Sequence, residues 1–381
     1  MNMKILSIST DRKIFEAGSE VQKRMSEYGK LFDELHIVVF ADKDLGHKNV
    51  KLTENIFIYP TNHKYKFLYL WRVYKIVKSI LTTNYELRAT DWTITVQDPF
   101  ETGLVGWLLK LRYQLPLQIQ IHTDIFSPYF WGESLKNKFR VLLAKFLLPH
   151  ADGIRVVSER IKNSLVASHF SLSTKITVLP IFVGAKKIQS AKIKVDLHQK
   201  YPAYDFIILM ASRLTREKNI SMAIEAMAEV IKKYPKALLL IVGEGSEKEQ
   251  LQLKTKTYNL KPNIAFEPWT KDLISYYKTS DLFLLTSNYE GYGRTVIEAM
   301  AAGVPVIMTD VGLAGELLID DLDGLVVPVR DKNVLIEAII RLKEDKEKRE
   351  NFIKESKKVI DSLPEKSEYL TSYKELLELL L

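Results

Sequence analysis

Most of the chemistry legible in this chain lies between Asp281 and Asp310, in Asp281-Leu-Phe-Leu-Leu-Thr-Ser-Asn-Tyr-Glu290-Gly-Tyr292-Gly293-Arg294-Thr295-Val-Ile-Glu298 and the apolar residues after it. An apolar run that reads as a buried strand passes into a polar loop, and a helix opens just after Gly293. The first N–H groups of a helix lack intrahelical acceptors, here those near Arg294 and Thr295. At the carboxyl edge of a parallel sheet such groups bind phosphate. Glu290 precedes these donors, and Glu298 lies about one turn into the helix, away from the core-facing Val296, Ile297 and Met300. Two carboxylates flanking a diphosphate cradle can accept hydrogen bonds from hydroxyls, one set from a sugar and one from a ribose.

The elements that must hold these residues read as strand and helix in alternation. Strands are expected at Lys4–Ser9, Glu34–Phe40, Ile56–Tyr59, Thr93–Gln97, Leu117–His122, Gly153–Val157 and Thr177–Pro180. The pattern restarts with strand Phe206–Ala211, helix Asn219–Lys233, strand Ala237–Val242 and helix Glu247–Tyr258. It continues through strands near 264–266, 281–286 and 304–309, with helices 271–279 and 293–302 between them. Such alternation implies an α/β chain with two doubly wound, Rossmann-like parallel sheets. The expected divisions are 1–185 for the N-terminal domain, a Lys-rich linker at 186–200, 201–363 for the C-terminal domain, and a helix at 364–381 packing back toward the N-terminal domain.

Composition narrows the classes. At 381 residues, 46% hydrophobic and 27% charged, the chain suits two globular domains and excludes a largely disordered one. With no cysteine, disulfide frameworks, thiolate metal sites and cysteine nucleophiles are all excluded. The first residues turn polar too quickly for a signal peptide, and no apolar run approaches the roughly 18–20 residues of a membrane span, so a cytoplasmic location is expected. Met1 to Ala185 carries 25 Lys and Arg against 17 Asp and Glu, and the remainder carries 30 of each. The whole net charge of +8 therefore sits in the N-terminal half, which either meets something anionic or is simply a solvated basic face.

Glu-x7-Glu enclosing Glu290-Gly-Tyr-Gly resembles the signature of the retaining glycosyltransferases of family 4, whose fold is GT-B, two Rossmann-like domains facing a central cleft. The resemblance extends to Arg213-Leu-Thr-Arg-Glu-Lys218, to Gly243-Glu-Gly245, to Asp323-Gly-Leu-Val-Val-Pro328 and to the strand-end His122-Thr-Asp124. It implies that Glu290 binds the donor sugar, that Glu298 binds the ribose, and that Arg213 and Lys218 neutralise the diphosphate. The latter two fit that task on their own chemistry, because a departing diphosphate gathers negative charge that paired cations stabilise. The backbones of Tyr292, Gly293, Arg294 and Thr295, with Gly18 and Gly243, would contact the donor, and His122 would face its sugar from the other domain. Asp98, Glu101 and Asp124 are the acceptor-side candidates.

What the resemblance implies is transfer from a nucleotide-diphosphate sugar, UDP-linked in preference to GDP-linked, to a glycan or lipid-linked acceptor with retained configuration. No cofactor, essential metal or nucleic acid is expected; Asp320-Asp321-Leu-Asp323 reads as an ordinary turn. The alternatives are a GT-B nucleotide-sugar epimerase and a noncatalytic nucleotide-sugar-binding protein. The first loop lacks the double glycine of many relatives, Leu179-Pro-Ile-Phe-Val-Gly184 replaces their Pro-Asn-Gly, and Arg294 either contacts phosphate or faces solvent. The basic and aromatic stretch Lys64–Lys78 either lies on an anionic membrane, giving a peripheral location, or covers the sheet as an ordinary helix.

Overall fold

The computed structural model describes residues 3–83, 91–168 and 175–381, which form two compact units. The first comprises Met1–Phe126, Trp131–Pro180 and Glu365–Leu381; the second comprises Ser127–Phe130 and Ile181–Pro364.

In the first unit, β1 (Lys4–Ser9), β2 (Glu34–Val39), β3 (Val50–Thr53), β4 (Ile56–Pro60), β5 (Trp92–Val96), β6 (Leu117–Ile121), β7 (Gly153–Val156) and β8 (Lys175–Val178) form one sheet in the order β3-β4-β2-β1-β5-β6-β7-β8. Every pairing is parallel except β3 with β4. The central strands are buried along their whole length, as sheets covered on both faces require. Helix Tyr69–Thr83 turns Tyr69, Val73, Val77 and Ile80 inward. From Tyr69 onward the Lys64–Lys78 stretch is therefore a sheet-covering helix, with Trp71 left outside under the ammonium of Lys75 and with Tyr65 and Phe67 exposed ahead of it.

The last helix, Lys366–Glu378, belongs to this unit. Glu365 and Glu368 form a capping box, and Tyr369, Tyr373, Leu376 and Leu377 are buried. The Tyr373 ring stacks on Tyr28 at 4.5 Å, and the Tyr369 hydroxyl lies 3.2 Å from that of Tyr28.

In the second unit, β9 (Phe206–Ala211), β10 (Ala237–Val242), β11 (Ile264–Glu267), β12 (Leu282–Leu285), β13 (Val306–Thr309) and β14 (Leu325–Val327) are all parallel, in the order β11-β10-β9-β12-β13-β14. Helices Ile220–Lys233 and Lys332–Glu344 pack on this sheet through Ile220, Ala223, Met227, Leu335 and Ile339.

The boundary differs from the expected linker. Residues 181–200 belong to the second unit and carry two short helices, Ala185–Ser190 and Leu197–Lys200. The Lys278 ammonium donates to the carbonyls of Gln189 and Ala191 at 2.7 and 2.6 Å, and Leu197 is fully buried. These anchors act on backbone carbonyls and one apolar side chain, so a Lys-rich stretch reads as a linker while being tied down.

Candidate functional site

The second sheet changes direction between β9 and β12: the chain winds one way from β9 to β10 and β11, then the other way from β12 to β13 and β14. In open α/β sheets the carboxyl ends of the two strands at such a reversal leave a crevice. Lys218 follows β9 and Glu290 follows β12, and the two meet there as an ion pair, both mostly buried. The Ser287 hydroxyl donates to the same Glu290 oxygen at 2.8 Å. Below them, the Thr286 hydroxyl donates to the carbonyls of Lys218 and Asn219 at 2.9 and 3.1 Å, fixing the loop after β9 to the end of β12.

Helix Arg294–Ala301 opens from Gly293, whose φ of 95° is left-handed and favours glycine. Val296, Ile297 and Met300 are buried, and the Glu298 side chain among them is mostly buried too. One Glu298 oxygen takes Arg294 Nε and a terminal guanidinium nitrogen at 3.0 and 2.8 Å; the other accepts from the Tyr277 hydroxyl at 3.2 Å. Burial, then the Glu298 charge, pushes the Tyr277 phenol well up, so it stays protonated as a donor. Arg294 faces solvent and serves Glu298. Arg213 is three-quarters exposed and pairs with Glu217 at 3.2 Å, while the Thr215 hydroxyl donates to that same Glu217 oxygen at 2.7 Å. One cation is thus mostly buried against Glu290, and the other is exposed to solvent.

Tyr292 is buried, and its carbonyl accepts from the Leu313 N–H at 2.9 Å. Gly243 ends β10 with φ 154°, and a Cβ there would lie 1.9 Å from the Ser212 carbonyl oxygen. Its first duty is therefore to let the loops after β9 and β10 pass each other. Asp320, Asp321 and Asp323 do the work of a turn: Asp320 accepts from Val326 N at 2.8 Å, Asp323 from Ile319 N at 2.7 Å, and Asp321 pairs with Arg341 and Lys348.

In the first unit His122 lies at a strand end, and the other sequence candidates lie in the loops and helix starts around it in the chain. His122 follows β6, with Nε2 3.1 Å from Gln120 Oε1. That oxygen also accepts from the Arg155 guanidinium at 3.1 Å, and the Gln120 amide nitrogen donates to Thr95 Oγ1 at 2.9 Å. With the amide so oriented, His122 Nε2 carries the proton and the neutral ring is left with Nδ1 as an acceptor. Loss of water around the ring, then the guanidinium charges of Arg155 and Arg24, lower His122 to about 3. Arg155 is buried in β7 on neutral partners: the carbonyls of Leu179 and Pro180 at 3.2 Å each, Gln120, and the Tyr369 hydroxyl at 3.0 Å.

Gly18 has φ 72° and donates its N–H to Gln22. Asp98 accepts from Phe100 N at 2.9 Å in the turn before the next helix, and burial pushes its carboxyl up. Glu101 forms a bidentate pair with Arg140, and Asp124 accepts from the Ser164 hydroxyl at 2.8 Å. The structure thus pairs Lys218 with Glu290 and Arg294 with Glu298 on either side of Gly293 in the chain, keeps Arg213 in the exposed loop before Lys218, and gives the three acceptor-side carboxylates partners of their own.

Sequence reasoning passed over Ser287, Tyr277, Glu217 and Arg155. Ser287 stands three residues before Glu290, so its signal was present. Tyr277 lies on another helix with no local mark. Arg155 was detectable as a lone cation inside an apolar strand.

Residues 196–359 match the family described as Glycosyl transferases group 1, and residues 60–181 match the Glycosyl transferase 4-like domain. The chain is 26% identical over 269 residues to the capsular polysaccharide biosynthesis glycosyltransferase CapM of Staphylococcus aureus, covering 69% of this chain and 70% of that protein. It is also 26% identical over 283 residues to the Escherichia coli UDP-Gal:alpha-D-GlcNAc-diphosphoundecaprenol alpha-1,3-galactosyltransferase, covering 71% and 72%. Among solved structures, sucrose-phosphate synthase from Thermosynechococcus elongatus superposes with a TM-score of 0.81 at 20% identity, over 100% of this chain and 99% of that one. Anabaena HepE in complex with UDP gives 0.76 at 19% identity, over 99% and 100%. The fold is GT-B.

Proposed function

Starting from a chain that belongs to the group 1 glycosyltransferases, we propose that it transfers a sugar from a UDP-sugar to a glycan or lipid-linked acceptor with retention of configuration. The observation that carries this is the meeting of Lys218 and Glu290 at the strand reversal of the second sheet, beside the start of helix Arg294–Ala301. A diphosphate there would meet the Lys218 ammonium, the Arg213 guanidinium and the first N–H groups of that helix. Glu290 and Glu298, each held by a neighbouring cation and a hydroxyl, would accept from sugar and ribose hydroxyls.

The chemical work assigned to these residues is charge stabilisation. As the donor bond breaks, negative charge moves onto the diphosphate, and donors already fixed in place stabilise that charge without reorganising. His122, neutral with Nδ1 free to accept, is suited to a hydroxyl and not to an anion. The names of two relatives support a glycan or lipid-diphosphate acceptor, and the UDP bound to HepE supports the uridine donor.

Incubation with UDP- and GDP-sugars in the absence of acceptor tests the reading. Slow release of free sugar and UDP is expected. An epimerised donor as the product would replace this reading with the epimerase, and binding without turnover, even with acceptor glycolipids added, would replace it with a noncatalytic binder.

A further inference from the structure

Helix Leu135–Leu147 of the first unit is apolar on two faces. Asn137, Val141, Ala144 and Leu147 face the core. On the opposite side Leu135, Phe139, Leu142 and Phe146, spaced by four, three and four residues, are 83%, 66%, 56% and 47% exposed. A sheet-covering helix ordinarily carries charge on its outer face.

Its neighbour, Glu101–Tyr113, repeats the pattern, with Leu108 44% and Leu111 58% exposed. Trp107 meets Phe146 edge-on at 5.0 Å and Arg140 bridges to Glu101, so the two helices lie side by side and their outer stripes adjoin. In the second unit the exposed large apolar residues, such as Leu253, Trp269 and Leu322, lie on separate elements. Contiguous exposed apolar surface of this kind marks an interaction site.

The charge around the stripe identifies what it meets. Helix Leu135–Leu147 contains Lys136, Lys138, Arg140 and Lys145 and no carboxylate. Arg140 is paired with Glu101, but among the described residues no carboxylate lies within ion-pairing distance of Lys136, Lys138 or Lys145. Lys138 and Lys145 instead rest their ammonium groups 5.9 Å from the Trp131 ring and 6.0 Å from the Phe126 ring. A second copy docked here about a two-fold axis would set lysines against lysines. An anionic bilayer would take the leucines and phenylalanines below its headgroups and leave the ammonium groups level with lipid phosphates.

We propose that the outer face of helices Glu101–Tyr113 and Leu135–Leu147 is a docking surface for an anionic lipid bilayer. It rests on the transferase reading only for its purpose, which is to bring the enzyme to a lipid-linked acceptor.

Co-sedimentation with vesicles of phosphatidylglycerol and phosphatidylcholine, against pure phosphatidylcholine, tests the surface. The wild-type chain should sediment with the anionic vesicles and much less with the zwitterionic ones. Combined L135S, F139S, L142S and F146S should lower anionic binding at least tenfold while leaving UDP-sugar turnover in solution unchanged. Combined K136Q, K138Q and K145Q should remove the preference for anionic vesicles. Absence of wild-type binding, or binding unaltered by the serine substitutions, would overturn the proposal. So would a wild-type dimer that the serine substitutions convert to monomer without changing lipid binding. Vesicle binding by a protein that turns over no nucleotide sugar would leave the surface standing and fell the transferase reading instead.

Discussion

Among the described residues, Lys218 is the only cation that the structure pairs with Glu290, and its position in the crevice makes it the residue on which the most rests. Lys218→Ala should cut turnover a hundredfold or more, about 3 kcal/mol of transition-state stabilisation, with Arg213→Ala comparable, as measured by steady-state donor hydrolysis. Full activity in both folded variants would remove them from the site. His122 makes a second residue-scale prediction, in pH. Its folded value of about 3 lies below that of an exposed histidine, so between those values the unfolded chain binds the additional proton. Stability should therefore fall as pH drops from about 6.5 toward 4. Urea unfolding across that range should show a shallower fall in His122→Gln, and identical slopes would mean that the ring is not held neutral.

At the scale of elements, the loops after β9, β10 and β12 position the chemistry. Gly243→Ala would drive a Cβ into the Ser212 carbonyl at a left-handed φ, next to the loop carrying Arg213. It should cost at least about 2 kcal/mol and lower the melting temperature by several degrees, with turnover reduced alongside. An unchanged melting temperature would show that these loops are not in contact as described. These same elements show what was legible beforehand. Strands β1, β9 and β10 have the residue bounds that their apolar runs suggested, because a fully buried parallel strand is marked by its own side chains. Strands β3 and β14 were not read: the first is a short, half-exposed edge strand, and the second spans three residues behind a turn. The motif residues of the crevice were legible because loop and helix are contiguous in sequence. Tyr277 was not, because its partner Glu298 lies 21 residues away, and Arg155 was marked only as a lone cation in an apolar strand, its partner Tyr369 lying 214 residues away.

For the whole molecule, the two sheets and the distribution of charge set the expectations. The +8 in the N-terminal half did not by itself identify a surface; the double-faced helix Leu135–Leu147 does, and it would not have been found by counting charge. No helix among the described residues is long and apolar enough to cross a membrane. With Lys218, Arg213 and a helix N-terminus assigned to the diphosphate, turnover should survive a chelator such as EDTA. Loss of activity that magnesium or manganese restores would contradict that assignment. The central claim is that the crevice between β9 and β12 holds the diphosphate of the donor. Calorimetric titration of UDP and of uridine into the wild-type chain and Lys218→Ala tests it most directly. The account predicts that UDP binds the variant at least tenfold more weakly while uridine is unaffected; equal UDP affinity in the two proteins would contradict it.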